Sequence, residues 1–349
     1  MRLFHNGHKR RLPHRIWVTA LIAVTAGLLV APAPADASPV SCRDVYVPIS
    51  LLGLPQTMYG RLCAPAGATT VQLLEPGGSY NSSYWDIGYT PWIRSYRLAM
   101  NNAGYATLAV DRLGTGRTSK PPSALITAST EAAALHQVVQ ALRTGRLGTR
   151  FDKVIIGGHS IGSAMVMIEA GTYHDVDGVL VTGMTHQMNF TTVAGALAKM
   201  MPAMLDPKFA DLGVDPGYLT TDPGTRYSDF HSPGPYVTGA IAFDESTKDV
   251  FTVTEAVDSL ALTTVVIPIS RRITAPVLIV MGDDPNFCGP PLGSDCASPA
   301  TLRQSEAPYY PAAASLRTFV LHGYGHAINY APNAPVYFQQ VVNWANGLG

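Results

Sequence analysis

The sequence predicts an α/β protein in which helices cover both faces of a mostly parallel central sheet. Several short apolar runs are rich in β-branched residues and are followed by Gly or Asp, which is typical of strands buried on both faces. Helix-like segments separate several of these runs, and strands that alternate with helices favour crossover connections. The strand-like runs are residues 71–74, 106–110, 154–157, 178–182, 276–281 and 316–321, and the helix-like segments are 92–102, 129–144, 164–170 and 336–346.

The composition limits the class of protein. The chain has 349 residues, with 24 Lys and Arg against 24 Asp and Glu, and 47% of its residues are hydrophobic. This length fits one large α/β domain or two smaller ones, and the ordinary apolar content excludes disorder over most of the chain. Because the charge is balanced, the chain lacks the strong excess of basic residues that favours binding to a phosphate backbone, and we expect no nucleic-acid partner.

Residues 1–37 predict a secretory signal peptide. Residues 1–15 carry basic side chains and no acidic one, a mostly apolar run follows at 16–31, and Ala35-Asp36-Ala37 has the small-residue pattern of a cleavage site. The alternative is an uncleaved membrane anchor, but the apolar run is shorter than the ~20 residues that a spanning helix needs. We therefore expect cleavage near Ala37, a protein secreted to an extracellular or periplasmic-equivalent space, and no stable membrane insertion.

Four cysteines, Cys42, Cys63, Cys288 and Cys296, follow the predicted leader. An even number in an oxidising compartment predicts two disulfides. Three pairings are possible, and we favour Cys42–Cys63 with Cys288–Cys296 because each pair is close in sequence. A zinc site is the alternative, although no Cys-x-x-Cys occurs and no histidine lies near a cysteine at ligand spacing.

A long segment between two predicted strands indicates an insertion. Residues 185–269 interrupt the alternation of strands and helices, and a structureless loop of that length is rare in a compact domain. We therefore assign residues 38–184 and 270–349 to the core and residues 185–269 to an inserted cap, or lid.

The segment Gly158-His159-Ser160-Ile161-Gly162 carries the strongest chemical signal. It follows the strand-like run 154–157 directly and precedes a helix-like segment. A strand that turns sharply into a helix forces its central residue into a strained backbone and presents that side chain at the carboxyl edge of the sheet. The pattern predicts Ser160 as a nucleophile. The alternative is a glycine-rich turn that carries an exposed serine.

A serine nucleophile needs a base, and the base needs an acid that orients it. His326 follows the last predicted strand, where an α/β sheet gathers its reactive groups, and we prefer it to His322, which closes that strand. Asp283 and Asp284 follow the preceding strand, and we choose Asp284 because the proline after it favours an extended backbone. The alternatives are Asp283 as the acid, or two aspartates that are solvated loop residues.

Backbone amides are expected to bind the negative charge that develops on the substrate oxygen. One donor is the amide of Ile161, at the start of the helix after the nucleophile. The second is Gly78, in the loop after the run 71–74, since glycine lets the backbone approach a ligand closely. A plain Gly-Gly turn is the alternative.

The chain order Ser160, Asp284, His326 resembles the catalytic triad of the α/β-hydrolase superfamily, with secreted bacterial serine esterases and lipases among its members. Residues 111–116 are similar to the family's turn after its fourth strand, whereas Pro76-Gly77 replaces the frequent His-Gly of its oxyanion loop. Serine at the turn argues against dehalogenases and epoxide hydrolases of this fold, which use aspartate there. The resemblance implies acyl transfer to water through an acyl-enzyme, and we expect no cofactor and no metal.

Two groups of residues predict a substrate pocket. Ser79, Tyr80 and Trp85 follow the oxyanion loop, and Met184 and Met188 lie at the start of the cap, where flexible thioethers suit an adaptable apolar wall. Plain packing is the alternative for both groups. If they form a pocket, the partner is a small-molecule ester with an apolar portion.

These features predict an exported serine hydrolase that cleaves carboxylic esters, with lipids, polyesters and lactones as candidate substrates. An amide or peptide hydrolase that resembles an aminopeptidase, and an acyltransferase of the same fold, are the alternative enzymes. A non-catalytic binding protein is a distant alternative, because it predicts a broken triad and all three residue types are present.

Overall fold

Strands and helices alternate along most of the computed structural model, which describes residues 39–265 and 268–348. The predicted leader at 1–37 lies outside the described residues. The strands are β1 (Val40–Leu51), β2 (Leu54–Pro65), β3 (Thr70–Glu75), β4 (Ala106–Val110), β5 (Lys153–His159), β6 (Gly178–Thr182), β7 (Met200–Pro202), β8 (Tyr218–Thr221), β9 (Phe251–Thr252), β10 (Val277–Gly282) and β11 (Leu316–Leu321). The α-helices are α1 (Pro91–Arg94), α2 (Tyr96–Asn102), α3 (Ala128–Arg143), α4 (Ile161–Tyr173), α5 (Phe190–Leu197), α6 (Thr238–Thr247), α7 (Val253–Leu260), α8 (Pro299–Glu306) and α9 (Ala334–Ala345).

The main sheet contains eight of the described strands in the order β1-β2-β4-β3-β5-β6-β10-β11. Strands β4, β3, β5, β6, β10 and β11 pair in parallel, and each coincides with one of the predicted strand-like runs to within two residues at either end. Every residue of β4, β6 and β10 is buried, because helices cover both faces of a parallel sheet. The mostly parallel sheet agrees with the fold class that the sequence predicts.

Alternate residues of the strands supply two hydrophobic cores. Val154 and Ile156 of β5 point into the core that α3 and α4 cover, whereas Ile155 points into the core that α2 and α9 cover. The predicted helix at 92–102 is two helices, α1 and α2, because the backbone of Ser95 is extended and its side chain accepts a hydrogen bond from the amide of Leu98. Serine is among the residues that commonly begin a helix in this way.

The antiparallel hairpin of β1 and β2 was not predicted. Val45, Val47, Ile49 and Leu51 are buried and alternate with exposed residues, which is the period of a strand with one face in water. Leu52 and Gly53 both have positive φ, as a two-residue hairpin turn requires. The alternation in the sequence could have identified this strand.

Between β6 and β10 the chain forms helices α5, α6 and α7 and a small antiparallel sheet in the order β7-β8-β9. These elements occupy the segment 185–269, which we propose as the cap. The described residues pack as one compact unit that includes this segment. Within the described part of the chain, no helix is long and apolar enough to cross a membrane.

The structure contains both favoured disulfides. Cys42 and Cys63 are paired neighbours on β1 and β2, with Cα atoms 4.0 Å apart. Cys288 and Cys296 close the loop that follows β10. The first bond therefore links two strands that already pair along their length, and the second closes a loop.

The first disulfide should stabilise the fold mainly by restricting the unfolded chain. Its cysteines are 21 residues apart, and closing a loop of that length is worth about 3 kcal/mol. We expect a Cys42→Ser/Cys63→Ser variant to lose about that much free energy of unfolding in urea. When both proteins are measured in dithiothreitol, the wild type and the variant should have the same free energy of unfolding. A variant as stable as the oxidised wild type would contradict this account.

Candidate active site

Ser160 occupies a strained turn between β5 and α4. Its φ of 56° and ψ of −128° place a residue with a side chain in a region that few such residues adopt. Two backbone hydrogen bonds fix the turn: the amide of Ser160 donates to the carbonyl of Thr182 (2.9 Å), and the amide of Ser163 donates to the carbonyl of Ser160 (2.8 Å). The side chain of Ser160 faces a cavity at the carboxyl edge of the sheet.

The two glycines of the pentapeptide are required because backbone packs on backbone at this turn. A Cβ on Gly158 would lie 2.4 Å from the carbonyl oxygen of Gly162, and a Cβ on Gly162 would lie 2.5 Å from the carbonyl oxygen of Pro76. Neither oxygen can move without moving the main chain. The start of α4 is therefore fitted directly against the loop after β3.

The structure brings His326 and Asp284 together. His326 Nδ1 lies 2.6 Å from Asp284 Oδ2, and both side chains are buried. The other oxygen of Asp284 accepts a hydrogen bond from the amide of Asn286 (3.0 Å), which fixes the orientation of the carboxylate. The ring of His326 lines the same cavity as Ser160.

The two alternative residues pair with each other instead. His322 Nδ1 lies 2.8 Å from Asp283 Oδ1, and the amide of Gly323 donates to Asp283 Oδ2 (2.7 Å). The side chains of His322 and Asp283 are 56% and 35% exposed and do not line the cavity with Ser160. Adjacent aspartates thus bind different histidines, one at the cavity and one at the surface.

Within the described residues, the hydroxyl of Ser160 makes no hydrogen bond to the ring of His326. Contacts of this kind are often long before substrate binds. Because Asp284 occupies Nδ1, Nε2 is the nitrogen of His326 left to exchange a proton in the cavity.

A second histidine lies beside His326 and stays neutral. The ring of His159 is 4.7 Å from that of His326 and stacks on Tyr84 at 4.3 Å. Burial first, and then the nearby His326 and Arg226, hold the pKa of His159 well below its usual value. His159 therefore adds no positive charge next to the ring of His326.

The loop after β3 brings Gly78 to the cavity beside Ile161. A Cβ on Gly78 would lie 3.3 Å from Ile161 Cδ1, and both residues line the cavity. The guanidinium of Arg112 binds the carbonyl oxygen of Gly77. Since C=O and N–H point in opposite directions across a trans peptide, the amide of Gly78 points away from Arg112.

A buried network that the sequence did not reveal joins this loop to the proposed cap. Arg226 donates to Ser79 Oγ (2.6 Å) and makes a two-pronged ion pair with Asp244 (2.7 and 3.0 Å). Asp244 also lies 2.7 Å from His231 Nε2, and His231 Nδ1 lies 2.6 Å from the hydroxyl of Tyr324. Although burial opposes it, Arg226 and His231 lower the pKa of Asp244 to about 2. The network therefore connects the loop after β3 to the loop that carries His326.

The cavity in front of Ser160 has a volume of about 110 Å³ and mostly apolar walls. Residues of the proposed cap supply most of the wall, and Phe287 completes it from the loop after β10. The cap residues are Val193, Ala196, Leu197, Met200, Phe230, Phe251, Ala256 and Leu260.

The five residues predicted for the pocket do not line this cavity, and that prediction is corrected. Tyr80 lies under the guanidinium of Arg226 at 4.1 Å, and Trp85 packs edge-on against Tyr96. The hydroxyl of Ser79 binds Arg226, while Met184 and Met188 belong to the buried core. For both predicted groups, the alternative of plain packing was the better interpretation.

Comparison with known proteins shows the family to which this chain belongs. A family model described as the alpha/beta hydrolase family matches residues 73–337. The chain belongs to the alpha/beta hydrolase family. The α/β-hydrolase fold that the sequence predicts is therefore confirmed, and no curated protein sequence matches the chain at a significant level.

Solved structures of other hydrolases share the fold of this alpha/beta hydrolase. Carboxylesterase CesB from Bacillus subtilis is 13% identical, with a TM-score of 0.58 over 88% of this chain and 93% of that chain. A highly thermostable carboxyl esterase from Bacillus coagulans is also 13% identical, with a TM-score of 0.56 over 87% of this chain and 98% of that chain. At this level of identity the likeness shows the fold alone.

The backbone contact at Gly162 gives a test of how the site is built. In a helix, Gly→Ala normally stabilises by up to about 1 kcal/mol. We expect Gly162→Ala to destabilise instead, by roughly 1–3 kcal/mol in urea unfolding, because its Cβ must displace the carbonyl of Pro76.

The matched control is Gly195→Ala in α5, where a Cβ meets open space. This variant should be as stable as the wild type or more so. Equal effects at the two positions would show that the contact between α4 and the loop after β3 is unimportant.

Proposed function

We propose that this alpha/beta hydrolase is an exported serine hydrolase that cleaves carboxylic esters through an acyl-enzyme intermediate. The observation that carries the proposal is the buried pair of Asp284 and His326. The ring of His326 and the strained Ser160 line the same cavity. These are the three groups that acyl transfer by a serine requires.

In this mechanism the hydroxyl of Ser160 attacks the ester carbonyl while His326 Nε2 takes its proton. Asp284 holds the ring and stabilises its protonated form. The amides of Ile161 and Gly78 donate hydrogen bonds to the oxyanion of the tetrahedral intermediate. His326 then returns the proton to the departing alcohol, and a water molecule, deprotonated by the same ring, releases the acid from Ser160.

The orientation of the Gly78 peptide supports its role as the second donor. Arg112 binds the carbonyl of Gly77, so the amide of Gly78 points the other way. Ile161 is the first residue of α4, and the first amides of a helix have no partner within the helix. The positive end of the helix dipole also favours a developing negative charge at this position.

The walls of the cavity favour an ester with an apolar acyl or aryl group. Its described lining contains no Asp, Glu, Lys or Arg side chain. An aminopeptidase-like enzyme needs an acidic group for the substrate's ammonium, so the lining favours esters over peptides. The esterase names of the structural relatives agree with this preference.

Export is supported by chemistry at two places in the chain. Two disulfides are typical of proteins from oxidising compartments. The basic, apolar and small-residue pattern of residues 1–37 is that of a cleaved leader. Export can be checked by comparing the N-terminal residue of protein from the culture medium with the proposed site after Ala37.

A fluorophosphonate probe tests the catalytic groups directly. We expect it to label the wild type but not Ser160→Ala, because only an activated serine reacts. His326→Ala should lower kcat/KM for p-nitrophenyl butyrate by roughly 10⁴-fold or more.

The surface pair provides matched controls for these variants. His322→Ala and Asp283→Asn should keep both labelling and turnover, whereas Asp284→Asn should lose most of the turnover. Labelling of Ser160→Ala as strong as that of the wild type, or equal losses in His322→Ala and His326→Ala, would end the proposal.

A substrate panel tests the cavity. Because the cavity is small and apolar, we expect p-nitrophenyl acetate and butyrate to be cleaved faster than the octanoate, and the esters faster than the matching anilides. Leu197→Ala removes part of the wall and should shift the optimum to longer acyl chains.

Val257→Ala is the control, since Val257 is exposed on α7 and does not line the cavity. An unchanged preference in Leu197→Ala would contradict the proposed acyl pocket. Anilides cleaved faster than esters would favour the amidase, and a dominant transfer product in the presence of added alcohol would favour the acyltransferase.

A further inference from the structure

Three side chains with metal-binding atoms meet far from the cavity. They are His136 on α3, Glu169 on α4 and Asp175 just after α4, and one donor atom from each lies within 4.8 Å of the others. His136 Nδ1 is 2.9 Å from Asp175 Oδ2 and 3.8 Å from Glu169 Oε1. The cluster thus joins two helices that pack on the same face of the sheet.

Glu169 is the unusual member of the cluster. Its side chain is 0% exposed, and its two carboxylate oxygens lack a hydrogen-bond donor among the described residues. Its polar neighbours in the cluster are His136 Nδ1, at 3.8 Å, and the carboxylate of Asp175. A buried carboxylate without a partner is costly, and proteins normally compensate such a group with a charge or a metal ion. The carboxylate of Asp175 faces the same space, so two acidic groups meet beside one imidazole.

We propose that His136, Glu169 and Asp175 bind a divalent transition-metal ion, for which Zn²⁺ is the natural probe. One imidazole and two carboxylates are a ligand set that suits such ions. Metal–ligand bonds of about 2.1 Å place neighbouring tetrahedral ligands about 3.4 Å apart, and the two observed distances lie on either side of this value.

Neighbouring residues hold the ligands in place. The ring of Tyr173 stacks on that of His136 with 3.9 Å between centroids, and Gln140 Nε2 donates to Asp175 Oδ2 (2.6 Å). Such outer contacts commonly orient metal ligands. The side chains of His136 and Asp175 are 28% and 17% exposed, which leaves a path for the ion and a fourth position for water.

The ion would strengthen the fold and take no part in catalysis. Glu169 lies nine residues beyond Ser160, which is about 14 Å along α4. Binding would neutralise the two carboxylates and connect α3 to the C-terminal end of α4. The competing explanation is a proton that Glu169 retains and shares with Asp175, since burial and then a hydrogen bond to Asp175 raise the pKa of Glu169 to about 10.

Calorimetric titration of the metal-free protein with Zn²⁺ tests the proposal. We expect the wild type to bind one Zn²⁺ per chain at this cluster and its melting temperature to rise. Glu169→Gln keeps the shape of the side chain but removes the ligand charge, and should weaken binding by roughly 100-fold. Asp175→Asn should do the same, which covers the case in which Glu169→Gln does not fold.

His174→Asn is the matched control. His174 is exposed next to the cluster and adopts a left-handed backbone, which asparagine tolerates. This variant should bind Zn²⁺ as the wild type does, and ester hydrolysis by the metal-free enzyme should stay unchanged. A wild type that binds no Zn²⁺, or binding of equal strength in Glu169→Gln, would overturn the proposal and leave the retained proton as the explanation.

Discussion

The turn at Ser160 depends on one close backbone contact. The first residues of α4 lie directly on the loop after β3, and the carbonyl of Pro76 occupies the space that a side chain on Gly162 would need. This contact fixes the distance between the serine and the Gly78 peptide. The strain at Ser160 persists because two hydrogen bonds hold the turn, one from its amide to the carbonyl of Thr182 and one from the amide of Ser163 to its own carbonyl.

Two buried arginines connect this turn to the rest of the molecule. Arg112 binds the loop after β3 and forms an ion pair with Glu255, whose side chain also caps α7. Arg226 binds Ser79 and pairs with Asp244. Removing one partner of either pair would leave a buried charge without its counter-ion, which costs about 3–5 kcal/mol. The segment 185–269, which we propose as the cap, is therefore tied to the loop after β3.

The features that could be predicted from the sequence are those that a local residue pattern determines. Runs such as 178–182 became strands because a continuous β-branched stretch has few other ways to be buried, and the pentapeptide around Ser160 identifies its own turn. The pairing of Asp284 with His326 followed from two loops at one sheet edge. The partners of Arg226 could not be predicted in this way, because Ser79 lies 147 residues away and only the folded chain brings it close. Tyr80 and Met184 were misassigned for the same reason, since an apolar residue near a motif can face the core or the cavity.

The sheet and the proposed cap contribute different parts of the candidate site. The sheet edge supplies the reactive groups, whereas helices α5 and α7 supply much of the apolar wall. Glu255 on α7 and Asp244 on α6 are the partners of the two arginines that hold the loop of Gly78. Helix α7 is therefore linked, through Glu255 and Arg112, to the carbonyl of Gly77 and to the amide next to it. The acyl pocket and the oxyanion donor that we propose thus share one buried ion pair, and a substitution that breaks the pair would disturb both.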